Sequence, residues 1–242
     1  MSEVSITANK KDIERLGKHL CFVYPHQQAT DAPSKQTATG RKGRMKDEEA
    51  ASNTQPSGWR YRTWRKPTFI ESKEIATAYG NAMHKALQGL TFARCTDEMS
   101  VAQEIQKLTD SGFLNSEQAA LVSAEKLAVF FDSEIGKKLR SGVACIREFK
   151  FSILDNGGHY GEGLEEEQVL LQGVVDCAIL EEDGITIIDF KTDRILEDRL
   201  ADTVEQYRHQ VDAYAHAISR IYEQTIKGKY LYFFQINQLV EV

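Results

Sequence analysis

Asp176, Asp189 and Lys191 are the residues whose types and spacing suggest chemistry. They lie in two runs rich in Val, Ile and Leu, LLQGVVDCAIL and ITIIDFKTD, separated by Glu181-Glu182-Asp183-Gly184. The acidic tetrapeptide supplies turn residues, so an antiparallel hairpin is predicted. A two-residue Asp183-Gly184 loop sets Asp176 opposite Lys191. A two-residue Glu182-Asp183 loop, or a four-residue loop, sets Asp176 opposite Asp189. In either register all three side chains share one face, because strand side chains alternate with period two. A three-residue loop would break that arrangement.

Two carboxylates on one sheet face repel by ~0.2–1 kcal/mol, and Asp is depleted in strands. A hard divalent cation removes the penalty. Mg²⁺ takes one or two protein carboxylates plus waters and phosphate oxygens, which matches this pair. Lys191, two residues beyond Asp189, is then aimed at the same centre and suits orientation of a water or relief of charge developing on a phosphate. Asp-x-Lys at a strand end is common by chance, so its weight comes from partners elsewhere.

His84 is the first partner. In KEIATAYGNAMHKALQGL the residues Ile75, Tyr79, Ala82, Met83, Ala86, Leu87 and Leu90 recur at helical spacing, so His84 sits on a helix beside an apolar stripe. Gly80, one turn earlier on the same side, costs a helix ~1 kcal/mol relative to Ala and suggests close approach of another group. A neutral imidazole there would complete a metal shell; the competing reading is a buried histidine satisfied by a hydrogen bond. The second partner is TVEQYRHQVDAYAHAISRIYEQ, where Tyr207, Gln210 and Tyr214 line one stripe at i, i+3 and i+7. Gln and Tyr there can bond phosphate or stack on a base, whereas the tyrosines alone read equally as core.

The elements that must hold these residues follow from the pattern. Residues 1–25 contain a short helical lead-in, IERLGKHLCFVY, and residues 26–72 read as linker and docking segment, rich in Thr, Ser, Ala, Lys and Gln from His26 to Ser57. From about Lys73 to Arg140 the pattern is helical. Strands ACIREFKFSIL, VLLQGVVDCAIL and ITIIDFK follow, then the Tyr207 helix, the strand KYLYFFQI and the terminal Leu239-Val240-Glu241-Val242.

Composition narrows the classes. No stretch approaches the ~20 apolar residues of a membrane span, and the polar start lacks a secretory core, so a cytoplasmic protein is expected. Cys21, Cys95, Cys145 and Cys177 are scattered without C-x-x-C, which argues against a structural zinc site, a disulfide scaffold or an iron–sulfur cluster. No G-x-x-x-x-G-K-[ST] loop occurs, so no ATP site or P-loop motor is expected. The net charge of −6 disfavours non-specific affinity for nucleic acid. Against that, Arg41, Lys42, Arg44, Lys46, Arg60, Arg62, Arg65 and Lys66 interleave with Trp59, Tyr61 and Trp64, a composition that suits a single strand, or equally a solvated linker with apolar anchors.

Taken together, Gly80-x-x-x-His84, Arg147-Glu148-Phe149, Gly173-Val174-Val175-Asp176, Ile188-Asp189-Phe190-Lys191-Thr192 and Tyr207-x-x-Gln210-x-x-x-Tyr214 resemble the motifs of RecB-type nucleases of the PD-(D/E)xK superfamily, in their order. More narrowly the chain is similar to the C-terminal nuclease domain of AddA helicase–nucleases, through Tyr24-Pro25, the run from Pro33 to Thr39, Phe130-Phe131, Tyr230-Leu231-Tyr232-Phe233 and Val240-Glu241-Val242.

The resemblance implies an α/β restriction-endonuclease-like core, a mixed central sheet flanked by helices, over residues 73–242. It implies Mg²⁺-dependent DNA hydrolysis, with Mn²⁺ able to substitute. The metal ligands would be His84, Asp176, Asp189 and the main-chain carbonyl of Phe190, with Lys191 as catalytic lysine. Tyr207 and Gln210 would contact DNA, and Glu148 and Tyr214 would support the ligands. The implied substrate is the 3′-ended single strand made by a linked helicase in recombinational double-strand-break repair. Implied partners are preceding helicase domains and an AddB-type subunit, with this chain an excised piece. Thr39-Gly40-Arg41-Lys42 and Asn81 depart from the family pattern without touching a metal ligand. The alternatives are a catalytically silent nuclease-like module that binds DNA or a partner protein, and a stand-alone RecB-like exonuclease.

Overall fold

The computed structural model describes residues 9–21, 34–38, 68–193, 195 and 199–242. Tyr24-Pro25 and the basic, aromatic stretch from Arg41 to Lys66 lie outside the described residues. Two compact units are present: the chain up to Lys35 with Leu154–Leu170, and Gln36–Ile153 with Leu171–Val242. In the first, helix α1 (Lys10–Leu20) stands in the lead-in segment. Its other piece is a tight loop in which the Gly157 N–H donates to the Glu167 carbonyl at 2.8 Å and Asn156 caps the Gly158 N–H at 2.7 Å.

The second unit carries the predicted chemistry. The long helix α2 (Thr68–Gly89) starts inside the segment read as linker, as does the short strand β1 (Lys35–Thr37). The helical region after it divides into α3 (Glu98–Asp110), α4 (Ser116–Leu121), α5 (Ala124–Asp132) and α6 (Glu134–Arg140). Capping side chains explain the divisions. Asp97 and Ser100, and Asn115 and Gln118, form reciprocal capping boxes, while Ser123 and Ser133 accept from the first turns of α5 and α6. Each such cap contributes about 1 kcal/mol and marks where a new helix begins.

Strands β2 (Cys145–Asn156), β3 (Gln168–Glu181), β4 (Gly184–Lys191), β5 (Ile226–Phe233) and β6 (Gln238–Glu241) follow, with α7 (Leu200–Tyr222) between β4 and β5. The mixed sheet has the order β1-β3-β4-β5-β6, with β2 also on β3. This is the mixed α/β arrangement, a central sheet flanked by helices, that the resemblance implied. β4 runs antiparallel to β3 and parallel to β5. Because β4 is covered on both faces it is buried along its whole length, which is why ITIIDF carries apolar residues toward both faces and does not alternate apolar with polar.

One core contains Met83, Leu87, Phe130, Phe131, Cys177, Ile188, Phe190 and Tyr232. The other contains Val175, Ala178, Ile187, Val211, Tyr214, Leu231 and Phe233. Phe130 is fully buried, with Phe131, Phe190, Tyr232 and Phe234 rings 4.7–5.9 Å away. Cys145 and Cys177, far apart in sequence, come into thiol hydrogen-bond contact. No helix among the described residues is long and apolar enough to cross a membrane.

Candidate active site

The β3–β4 hairpin pairs Glu181 with Gly184 and Cys177 with Ile188, so the loop is Glu182-Asp183. The pairing ends at Cys177 with Ile188, one step short of Asp176 and Asp189, in the register expected of a Glu182-Asp183 loop. Alternation along β3 slips at this point, since Val175 and Ala178, three apart, pack in the same core. Asp176 uses the slip: its Oδ2 accepts the Phe190 N–H at 2.8 Å.

Asp189 and Lys191 are 1% and 8% exposed, although both are charged residues on the central strand. The Lys191 ammonium lies 2.5 Å from Asp189 Oδ2. It also donates to Gln210 Oε1 at 3.0 Å, and Gln210 Nε2 donates to the Tyr214 hydroxyl at 2.6 Å. The Tyr207 ring sits 3.9 Å from the Lys191 ammonium, and its hydroxyl donates a short bond to Asp193. Burial and the Asp193 carboxylate push the Tyr207 phenol well up, so it remains a donor. Burial also raises the Asp189 carboxyl to about 6; Lys191 opposes the rise and Asp176 adds to it. The stripe Tyr207, Gln210, Tyr214 is therefore a cradle for one ammonium. All three side chains are buried, which sequence spacing left open.

On the other flank, His84 Nδ1 lies 3.4 Å from Glu148 and 3.5 Å from Asp176. Burial draws the imidazole down, but bonds and attraction from Asp176 and Glu148 outweigh it and lift it to about 10. Glu148 adopts φ +47°, a left-handed conformation rare for a non-glycine residue. Its effect is visible in packing. Ile146 joins one core, and after Glu148 the same core takes Phe149, Phe151 and Ile153, so the period slips by one. A bulge of this kind lets two consecutive side chains reach the same helix. Arg147 donates to the Leu87 and Leu90 carbonyls at 3.0 and 2.7 Å, while Glu148 reaches His84. Helix α2 has no basic residue in its own last turn, and Arg147 supplies that charge from the sheet.

Gly80 also finds its reason. A Cβ there would meet Thr192 Oγ1 at 2.8 Å, so the close approach suggested by its helical position is made by the residue after Lys191.

His84, Asp176, Asp189, Lys191, Tyr207 and Gln210 line a cleft of about 590 Å³ with Thr37, Lys150, Phe151, Gln172 and Gly173 among its walls. Ligand atoms of His84, Glu148 and Asp176 lie within 4.8 Å of one another, a nitrogen and two carboxylates suited to a divalent cation. Asp189, expected as a ligand, lies against the Lys191 ammonium, and Glu148, expected only in support, stands beside His84 and Asp176. The Phe190 N–H is taken by Asp176. The weight of Glu148 was hidden in the sequence because it depends on a bulge, and that of Thr192 and Asp193 because it depends on packing against α2 and α7.

Comparison with known proteins fits this geometry. Residues 55–241 match the family model described as the PD-(D/E)XK nuclease superfamily. Proteins named as ATP-dependent helicase/nuclease subunits are similar to 95% of the chain in Bacillus cereus (strain Q1), at 32% identity, and in Bacillus mycoides (strain KBAB4), also at 32%. The protein of the same name in Bacillus thuringiensis subsp. konkukian (strain 97-27) is 31% identical over 99% of the chain. The chain spans only about a fifth of the length of these relatives (19–20%). With the family model covering the strand that ends in Asp189-Phe190-Lys191, its neighbours β3 and β5 and the helices that carry His84 and Gln210, the chain belongs to the PD-(D/E)XK nuclease superfamily.

Proposed function

We propose that this chain hydrolyses phosphodiester bonds of single-stranded DNA with the help of Mg²⁺. The carrying observation is the buried Lys191 ammonium, fixed by Asp189, Gln210 and the Tyr207 ring at the wall of a cleft that also holds His84 and Asp176, with Glu148 against His84. The residues that would hold the cation are His84, Asp176 and Asp189 with the Phe190 carbonyl, and Glu148 beside them. When bound, a cation there supplies Lewis acidity to a phosphate oxygen and an attacking water. Lys191 orients that water and offsets the negative charge that grows in the transition state. Gln210 and Tyr214 keep the ammonium aimed, and Asp193 keeps the Tyr207 ring against it.

By analogy with the helicase/nuclease relatives, the strand reaches this cleft from a linked helicase. The 3′-ended strand, an AddB-type partner and a role in recombinational double-strand-break repair belong to the same proposal. The test is cleavage of end-labelled single-stranded DNA by the chain with Mg²⁺, with EDTA, and by Lys191→Ala under matched conditions. Products that require both the cation and Lys191 are expected. Equal cutting by Lys191→Ala would sink the assignment, and binding without cutting would favour a catalytically silent module.

A further inference from the structure

We propose that Lys150 contacts a phosphate flanking the scissile one and so sets the affinity of the cleft for its substrate; this rests on the nuclease reading above. The charged side chains lining the cleft are His84, Lys150, Asp176, Asp189, Lys191 and Asp193. All but one are committed to neighbours. His84 meets Glu148 and Asp176, Lys191 meets Asp189, and Asp193 accepts from Tyr207. Lys150 is exposed and, among the described residues, has no carboxylate or hydrogen-bond partner.

Its position is set by the bulge. After Glu148 the strand packs Phe149, Phe151 and Ile153 against one core, and Lys150 and Ser152 point the opposite way. Phe151 is buried, which anchors the backbone at Lys150. Two residues along a strand cover about 6.6 Å, so the Lys150 backbone lies one short step from that of Glu148. Next to it Gln172 Nε2 donates to Ser152 Oγ at 3.0 Å, which continues a polar wall away from the carboxylates.

The chemistry requires such a group. The chain carries −6 overall and the cleft presents Asp176, Asp189 and Asp193, with Glu148 behind His84, a field that repels a polyanion. A divalent cation would offset it at the scissile phosphate and leave the neighbouring phosphates facing carboxylates. A lysine is a hydrated point charge on a flexible stem, suited to holding a phosphate regardless of base.

The test is steady-state cleavage of a labelled oligothymidylate in Mg²⁺ over a series of KCl concentrations, by wild type, Lys150→Ala and Lys150→Arg. Lys150→Ala should raise KM by about three- to tenfold, with kcat affected far less, and lower the slope of log KM against log salt by about 0.7. Lys150→Arg should restore both. Unaltered KM and slope in Lys150→Ala would overturn the proposal and leave a solvent-facing lysine. Should the wild type cut nothing, fluorescence anisotropy with the same oligonucleotide decides. A weaker, less salt-sensitive Lys150→Ala then sustains the phosphate contact while the nuclease reading fails; equal binding overturns both.

Discussion

At the scale of single residues, the decisive feature is an ion pair in a strand that is buried on both faces. Two charges withdrawn from water are costly, and their attraction repays that cost only when the remaining donors and acceptors are satisfied. Gln210 and the Tyr207 ring do this for Lys191. Removing one partner leaves the other buried and unpaired, which costs about 3–5 kcal/mol. Lys191→Met is therefore expected to abolish cleavage and lower stability in urea unfolding. The double variant Asp189→Asn with Lys191→Met should recover most of that stability and none of the cleavage. If the double variant is no more stable than the single one, the pair is not the buried couple described here.

At the scale of elements, the site depends on how α2 and β2 meet β4. The Gly80–Thr192 contact fixes the height of α2 over the end of β4, and Arg147 holds the C-terminal end of the helix. Ala is the better helix former by ~1 kcal/mol, so an open site would gain from Gly80→Ala. Here a Cβ would meet a β-branched side chain with a stiff χ1, and overpacking should make Gly80→Ala less stable by about 1–3 kcal/mol. Thr192→Ala in the same chain should reverse the loss. Thermal melts of the two single variants and the double one check this, and a stabilised Gly80→Ala would exclude the contact. The helical pattern, the hairpin and the crossover helix were legible from periodicity and turn residues. The division into α4, α5 and α6 was legible only through the caps Ser123 and Ser133, which lie inside an otherwise continuous helical pattern.

At the scale of the molecule, the proposed cation site sets protonation against cation binding. His84 is lifted from 6.5 to about 10, so its contribution to stability is complete below about pH 6.5 and is lost as pH rises toward 10. Asp189 is raised from 3.8 to about 6, so its contribution also declines as pH rises, between about pH 4 and about 6. Without a divalent cation, these two groups make the fold less stable as pH increases. A cation held by His84 would compete with its proton, so binding would strengthen with pH. The melting temperature in Mg²⁺ minus that in EDTA should grow between about pH 6 and about pH 8. A difference that is flat or shrinks with pH would exclude His84 from the ligand set.

The sequence alone determined the hairpin, the shared neighbourhood of Asp176, Asp189 and Lys191, the helical stripes that bring His84 and Gln210 to it, and the family resemblance. Those are matters of local period and of residue type, which a chain displays without being folded. Tertiary structure decided the division of labour. Asp189 turned to Lys191 because the pair is sealed inside the sheet; Glu148 moved beside His84 because the backbone at φ +47° slips the period of β2. Tyr207 and Gln210 became a cradle for the lysine because α7 is pressed against β4. Such choices depend on which side chain loses water and which partner remains within reach, and only packing in three dimensions sets both.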